Sequence, residues 1–382
     1  MRRQRRSGGR TAARRRQHLY LVLDDWSWGH SIYKVDLSSG DSAEPPPDAF
    51  SGVRSEQFLP PVLVRLEGPP IFPEHVTAAF GTKIIAVPRK SHVATDARPS
   101  TTTTVIVPVF DVHTRRLTLG PEPMVDLDQP VYFPLGDRLF VLCSNSFQVM
   151  HSPSLQPPPD DGPSSPEGSW RELPKHPFDF HDVTCYAVHP DGRTIFVSTK
   201  SSCPNAAATY AFDTAETGFQ WKKHGNWALP FTGHANFDPK LDAWVGLSGD
   251  RRTTGHICTC DVVSPESSDD DGRCPSWKVS KEKLFREENP MLGEDPDEET
   301  HFGATLVYMA GRRSKFCLVQ SMKVYYDDSI EDEFRFVYRL TKLSLKYDKN
   351  GDLIIDNRRR VRYYRAEEAC GYALIEPVAF WM

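Results

Sequence analysis

Residues His181–Pro230, HDVTCYAVHPDGRTIFVSTKSSCPNAAATYAFDTAETGFQWKKHGNWALP, read as one complete unit of four short strands. An apolar run at 183–188 meets a His-Pro-Asp-Gly turn at 189–192, and Thr194 to Ser198 returns as a second strand. A third run at 209–212 ends in Asp213-Thr214, and a fourth carries Trp221.

Copies of this grammar lie on both sides. An apolar run, a tight turn and a second apolar run recur as VTAAF-GTK-IIAV at 76–87 and VYFPL-GDR-LFVL at 131–142. They recur again as GHANFDPKLDAWVGL at 233–247 and FGATLVYMAGRRSKFCLV at 302–319. The turn positions Gly81, Gly136, Gly192, Lys240 and Arg312 are 55, 56, 48 and 72 residues apart, and an acidic insert accounts for the long last step. Third strands follow at 105–111, 147–150, 209–213, 256–261 and 339–345, and Trp170, Trp221 and Trp277 mark a fourth strand in three copies. Helical spacing with caps is absent from any run longer than two turns. Repeats of about 50 residues, each of four short strands, are the pattern of β-propeller blades.

Five units occupy 71–365. The strands at 18–24 and 31–37 resemble the second and third of a blade, and CGYALIEPVAFW at 370–381 resembles a first. Joined, they predict a sixth blade and a closed ring without free sheet edges. The expected fold is all-β, a six-bladed propeller over 18–382, preceded by a disordered basic arm at 1–17 and with a long Pro- and Ser-rich loop at 41–61.

Composition agrees with this reading. The chain has 382 residues, 32 of them proline and 24 glycine, which favours turns over long helices. Net charge is −5, but residues 1–16 hold eight arginines, leaving 38 basic against 51 acidic residues beyond them, or −13. An acidic body with a basic arm is not the broad basic face of a nucleic-acid-binding fold. No apolar stretch approaches the roughly 20 residues of a membrane span, and no apolar segment of a secretory signal follows the arginines. Cys185, Cys258 and Cys317 lie inside apolar runs, as reduced core cysteines do, so the nucleus or cytoplasm is the expected location. The Arg-rich start also suits an organelle transit peptide.

No phosphate loop, GxSxG, HExxH or dinucleotide fingerprint is present. His256-x-Cys258-x-Cys260 has the parity of a shared face, yet a mid-strand pair of this spacing packs inward more readily than it wraps a metal. His181, Cys185 and His189 spread over about 27 Å of extended chain and cannot meet at one ion. Asp111, Asp213 and Asp261 recur at one point of the repeat and read as turn acids, with the three tryptophans as packing between blades. No catalytic residue, metal or cofactor is expected.

Two charged groups remain as candidate partner-binding residues. Arg358, Arg359, Arg360, Arg362, Tyr363, Tyr364 and Arg365 form a basic-aromatic cluster suited to an outer blade edge, and Asp269, Asp270 and Asp271 lie in the acidic insert 264–275. The inserts 151–168 and 264–300 are the expected recognition elements.

HLYLVLDD with SIYKVDLSS, YAVHPDGRTIFVS with FDT, FDPKLDAWVGL, and CGYALIEPVAFW together resemble the plant family of domain of unknown function 1668, grass proteins of kelch-like propeller character. The resemblance covers most of 18–382 and implies a fold and a plant origin. No F-box-like helical segment precedes the first strand, so assembly into a ubiquitin ligase is not implied. The function expected is a non-catalytic scaffold that presents propeller loops to a protein or peptide. The alternatives are an enzyme with its site in the channel, and a nucleic-acid-associated protein using the arm and Arg358–Arg365.

Overall fold

Apolar runs of four to eight residues, broken by Gly, Asp and Pro, fold back on themselves as hairpins. The computed structural model describes residues 16–26, 29–38, 56–67, 75–87, 106–152, 169–201, 206–215, 219–266, 274–285, 300–310, 313–325, 334–356, 359–365 and 377–382. These residues form β-strands and short 3-10 turns, with no α-helix among them.

The first twenty strands other than the third, together with the C-terminal strand, fall into antiparallel groups of four. The first sheet holds both ends of the described chain. The C-terminal β26 (Val378–Trp381) pairs with β1 (Leu19–Trp26), followed by β2 (Gly29–Val35) and β4 (Val62–Glu67). Leu19 faces Trp381 and Val22 faces Val378, as expected from the apolar C-terminus.

Four sheets then follow in chain order. They are β5 to β8 (Val76–Ala79, Lys83–Ala86, Val107–Asp111, Arg116–Gly120) and β9 to β12 (Val131–Leu135, Arg138–Leu142, Phe147–His151, Trp170–Glu172). Next come β13 to β16 (Val183–Val188, Thr194–Lys200, Ala207–Asp213, Trp221–Gly225) and β17 to β20 (Phe231–Asp238, Ala243–Ser248, Ile257–Asp261, Trp277–Val279). A parallel pairing of β13 with β17, Tyr186 opposite His234, joins these last two.

The final sheet is built on β21 (Thr300–Tyr308), β22 (Lys315–Tyr325) and β23 (Phe334–Tyr347). Its long β23 carries both β24 (Leu353–Ile355) and β25 (Arg360–Arg365).

One apolar layer lies between each sheet and the next. Val22 and Ile32 meet Ile84 and Phe110, Ile85 meets Leu139 and Trp170, and Phe147 meets Phe212. Phe196 meets Trp244, Ile257 meets Phe316, and Val319 with Leu340 returns to Leu21 and Val35 of the first sheet. The second strand of a unit is therefore covered on both faces: β14 and β18 are buried almost throughout. That is why these strands carry runs of consecutive apolar residues. The outermost β8, with its exposed residues, has only β7 beside it.

Turn chemistry follows the repeat. Gly81, Gly136 and Gly192 sit at φ of 78°, 60° and 71°, where a side chain would be strained. His189 closes its turn by accepting the Gly192 N–H, while Asp191 Oδ1 accepts the N–H groups of Arg193 and Thr194. Asp111 and Asp213 cap turns in the same way, and Asp261 lies exposed.

Three expectations need correction. The 41–61 loop contains a short strand, β3 (Glu56–Phe58), which pairs in parallel with β25. The cluster at 358–365 is thus not an open edge over its last three residues, because β3 covers the outer side of β25 at Tyr363, Tyr364 and Arg365. Trp170 and Trp221 pack between sheets, but Trp277 is 45% exposed. It stands opposite Cys260 at the last rung of a three-residue strand, and its ring projects past the layer that Val279 joins.

Candidate functional site

The turn between β17 and β18 is fixed by one buried carboxylate. Asp238 Oδ1 accepts the N–H groups of Lys240 and Leu241, each at 2.9 Å, so the turn closes tightly and leaves Lys240 exposed. The same oxygen accepts the Ser314 hydroxyl at 2.8 Å, from the turn between β21 and β22. Ser314 O in turn accepts the Leu345 N–H, and Lys315 O accepts the Met309 N–H. Two turns of adjacent sheets are thereby held side by side.

These turns and β23 border a half-open cavity of about 470 Å³. Among the described residues, Lys240, Arg313, Lys315, Lys342, Lys346 and Arg360 line it, with Asp356 as the single carboxylate and Ser344 as a neutral polar group. Leu343 and Leu345 also border it, but both are buried in the layer beneath, so they offer backbone rather than an apolar wall. Asp356 lies 3.7 Å from Lys346. Lys342 stands opposite Arg360 across the ladder and donates to the Leu37 carbonyl at 3.3 Å. Burial, and then the charges of Lys315, Arg360 and Arg362, hold its ammonium below the ordinary lysine value. Such a concentration of cations in a concave space attracts anions.

The residues singled out in sequence divide. Arg360 lines the cavity, whereas Arg362 donates to the Asp36 carbonyl at 2.8 Å and fastens the first sheet to the last. Arg359 is half-buried beside β25, and Tyr363 lies between Arg339 and Glu56 in the ladder. Tyr364 is buried in the layer with Leu340 and Ala379, so its ring serves the core and not a surface. Arg358, Asp269, Asp270 and Asp271 lie outside the described residues, as do residues 1–15, 153–168 and 286–299.

Five of the six cations escaped sequence reading because they come from separated segments. One signal was present: at the turn where three units carry glycine, the next two carry Lys240 and Arg312.

Other polar groups serve elsewhere. Cys258 and Cys260 pack inward with Cys185 and Trp244, and burial pushes all three thiols upward. His256 Nδ1 is 2.8 Å from the Ser280 carbonyl. On the first sheet Asp24 is buried, and burial together with neighbouring Asp25 pushes its carboxyl up to about 6. Tyr33 donates its hydroxyl to Asp25, and burial lowers His30 to about 4 beside the buried His75. Among the described residues, no group of three or more His, Cys, Asp or Glu could hold a metal ion. Nor is any helix among them long and apolar enough to cross a membrane.

A family model described as a protein of unknown function, DUF1668, matches residues 16–364. Comparison with curated proteins finds no match.

Proposed function

We infer a function from the premise that this chain belongs to the DUF1668 family, proteins of unknown function. The reading is a six-bladed, kelch-like β-propeller of plant origin that works as a non-catalytic scaffold in the nucleus or cytoplasm. A protein or peptide partner with clustered negative charge docks at the cavity between the fifth and sixth sheets. The apolar layers between successive sheets, and the pairing of β26 with β1, support the propeller. The observation that carries the function is the cavity itself, where among the described residues six cations face one carboxylate in a body that is otherwise acidic.

The test compares the intact chain with a Lys240→Glu, Arg313→Glu, Lys315→Glu variant. A fluorescent octaglutamate peptide should bind the intact chain and lose at least tenfold in affinity for the variant. In plant tissue, proximity labelling by the two proteins should differ in an acidic set of partners. Equal peptide affinity and identical partner sets would overturn the reading.

A further inference from the structure

The cavity holds more positive charge than an acidic side chain can neutralise. Among the described residues Lys240, Arg313 and Lys315 have no ion-pair partner, and Asp356 is already engaged by Lys346. Lys342 is part-buried among like charges, and burial first and those charges second disfavour its protonation. A glutamate brings one charge and two acceptor oxygens. A phosphomonoester brings about −1.5 to −2 near pH 7 and three strong acceptors, which matches several converging donors better. The volume is also generous for one carboxylate and falls within the range of ligand pockets, about 300–1,000 Å³.

We propose that this cavity is a phosphate-recognition pocket, and that the partner segment it binds is a peptide carrying a phosphorylated side chain. This rests on the scaffold reading above and names the chemistry of its ligand. Arg313 supplies a planar guanidinium fork, Lys240 and Lys315 supply point charges, and the Asp238–Ser314 bond holds the turns at fixed separation. A peptide is favoured over an extended polyanion on charge grounds. Residues 17–382 carry −13, so a nucleic acid or anionic bilayer running past the cavity meets repulsion over most of the body. One phosphate group confined to the cavity does not, since screening at physiological salt reaches only about 8 Å.

The experiment uses the full chain and three fluorescein-labelled degenerate peptide pools that differ only at a central phosphoserine, glutamate or serine. The phosphoserine pool should bind at least tenfold tighter than the glutamate pool. Its affinity should rise from pH 5 to pH 7.5 as the phosphate loses its second proton. Arg313→Ala and Lys315→Ala should each weaken it severalfold, while Lys222→Glu, an exposed change on β16, leaves it unaltered. Circular dichroism of each variant confirms that the fold is retained. Equal binding of the phosphoserine and glutamate pools overturns the phosphate assignment and leaves the acidic-partner reading standing. Binding of none of the pools, nor of octaglutamate, overturns both. Displacement of the phosphopeptide by a 20-nucleotide single strand binding more tightly also overturns the proposal, in favour of nucleic acid.

Discussion

Ser314 donates its hydroxyl to Asp238 over 2.8 Å, from the turn of one sheet to the turn of its neighbour. The carboxylate at the receiving end is 1% exposed and caps its own turn through two further N–H groups. Asp238→Ala removes an acceptor shared by three donors and leaves the Leu241 N–H buried. Charge-assisted hydrogen bonds of this kind contribute about 1.5–3 kcal/mol each, so the variant should lose about 3 kcal/mol or more by urea denaturation. Ser314→Ala removes only the bond between sheets and should cost about 1–2 kcal/mol.

Two glycines separate backbone strain from steric collision. Gly136 and Gly255 both have positive φ, 60° and 86°. A Cβ on Gly136 would meet nothing within 4 Å, whereas one on Gly255 would stand 1.8 Å from the Phe285 carbonyl oxygen. Gly136→Ala should therefore cost only the conformational term, about 1–2 kcal/mol. Gly255→Ala must also move the 281–285 segment and should lose distinctly more, with a larger fall in melting temperature. Equal losses would contradict the close approach.

Asp24 gives stability a pH dependence of unusual sign for a carboxylate. Its folded-state pKa of about 6 is above the ordinary value, so the folded chain binds this proton more tightly than the unfolded chain does. Its contribution is therefore most favourable below about pH 4 and is lost as pH rises through about 6. Asp24→Asn should raise stability at pH 7.5 by about 2 kcal/mol, and the gain should vanish near pH 4. A variant no more stable than the parent at pH 7.5 would refute the burial of this charge.

The C-terminal strand should be indispensable to cooperative folding. Val378 and Phe380 pack on one side of β26 and Ala379 on the other, in two different apolar layers. Removing 377–382 exposes both layers and the hydrogen-bonding edge of β1. The truncated chain should unfold in a broader transition, with a melting temperature lowered by more than 10 °C, or accumulate in the insoluble fraction. A melt matching the full chain would sink the prediction.

The hairpins and their order were legible because sheets that pack on both faces leave a strong signal, consecutive apolar residues such as Ile195–Val197 of β14 and Ala243–Leu247 of β18 between Gly or Asp turns. The fourth strand of the second sheet, β8, was not, since RLTLG lacks tryptophan and its two alternating leucines, 55% and 70% exposed, are too few to set it apart from a loop. Three residues of mixed polarity, Glu56–Phe58, cannot announce a strand whose partner lies some 300 positions away, and β3 was missed for that reason. The basic cavity was hidden by the same separation. Only Arg360 drew notice, because it sits in an arginine run, while Lys240, Arg313 and Lys315 look like ordinary solvated turns until two sheets bring them together.

The pairing of β3 with β25 joins a segment that lies between β2 and β4 to the last sheet, while β26 leaves the last sheet to join the first. Each sheet thus lends a strand to the other, beside the side-chain bonds of Arg362 and Lys342 and the shared apolar layer. The two strand exchanges differ mechanically. His18 and Met382 exchange main-chain hydrogen bonds at the open end of the β1–β26 ladder, so tension applied through Gln17 and Met382 peels that ladder rung by rung. β3 engages β25 through three residue pairs in the last sheet, so the two strand exchanges do not share a rung.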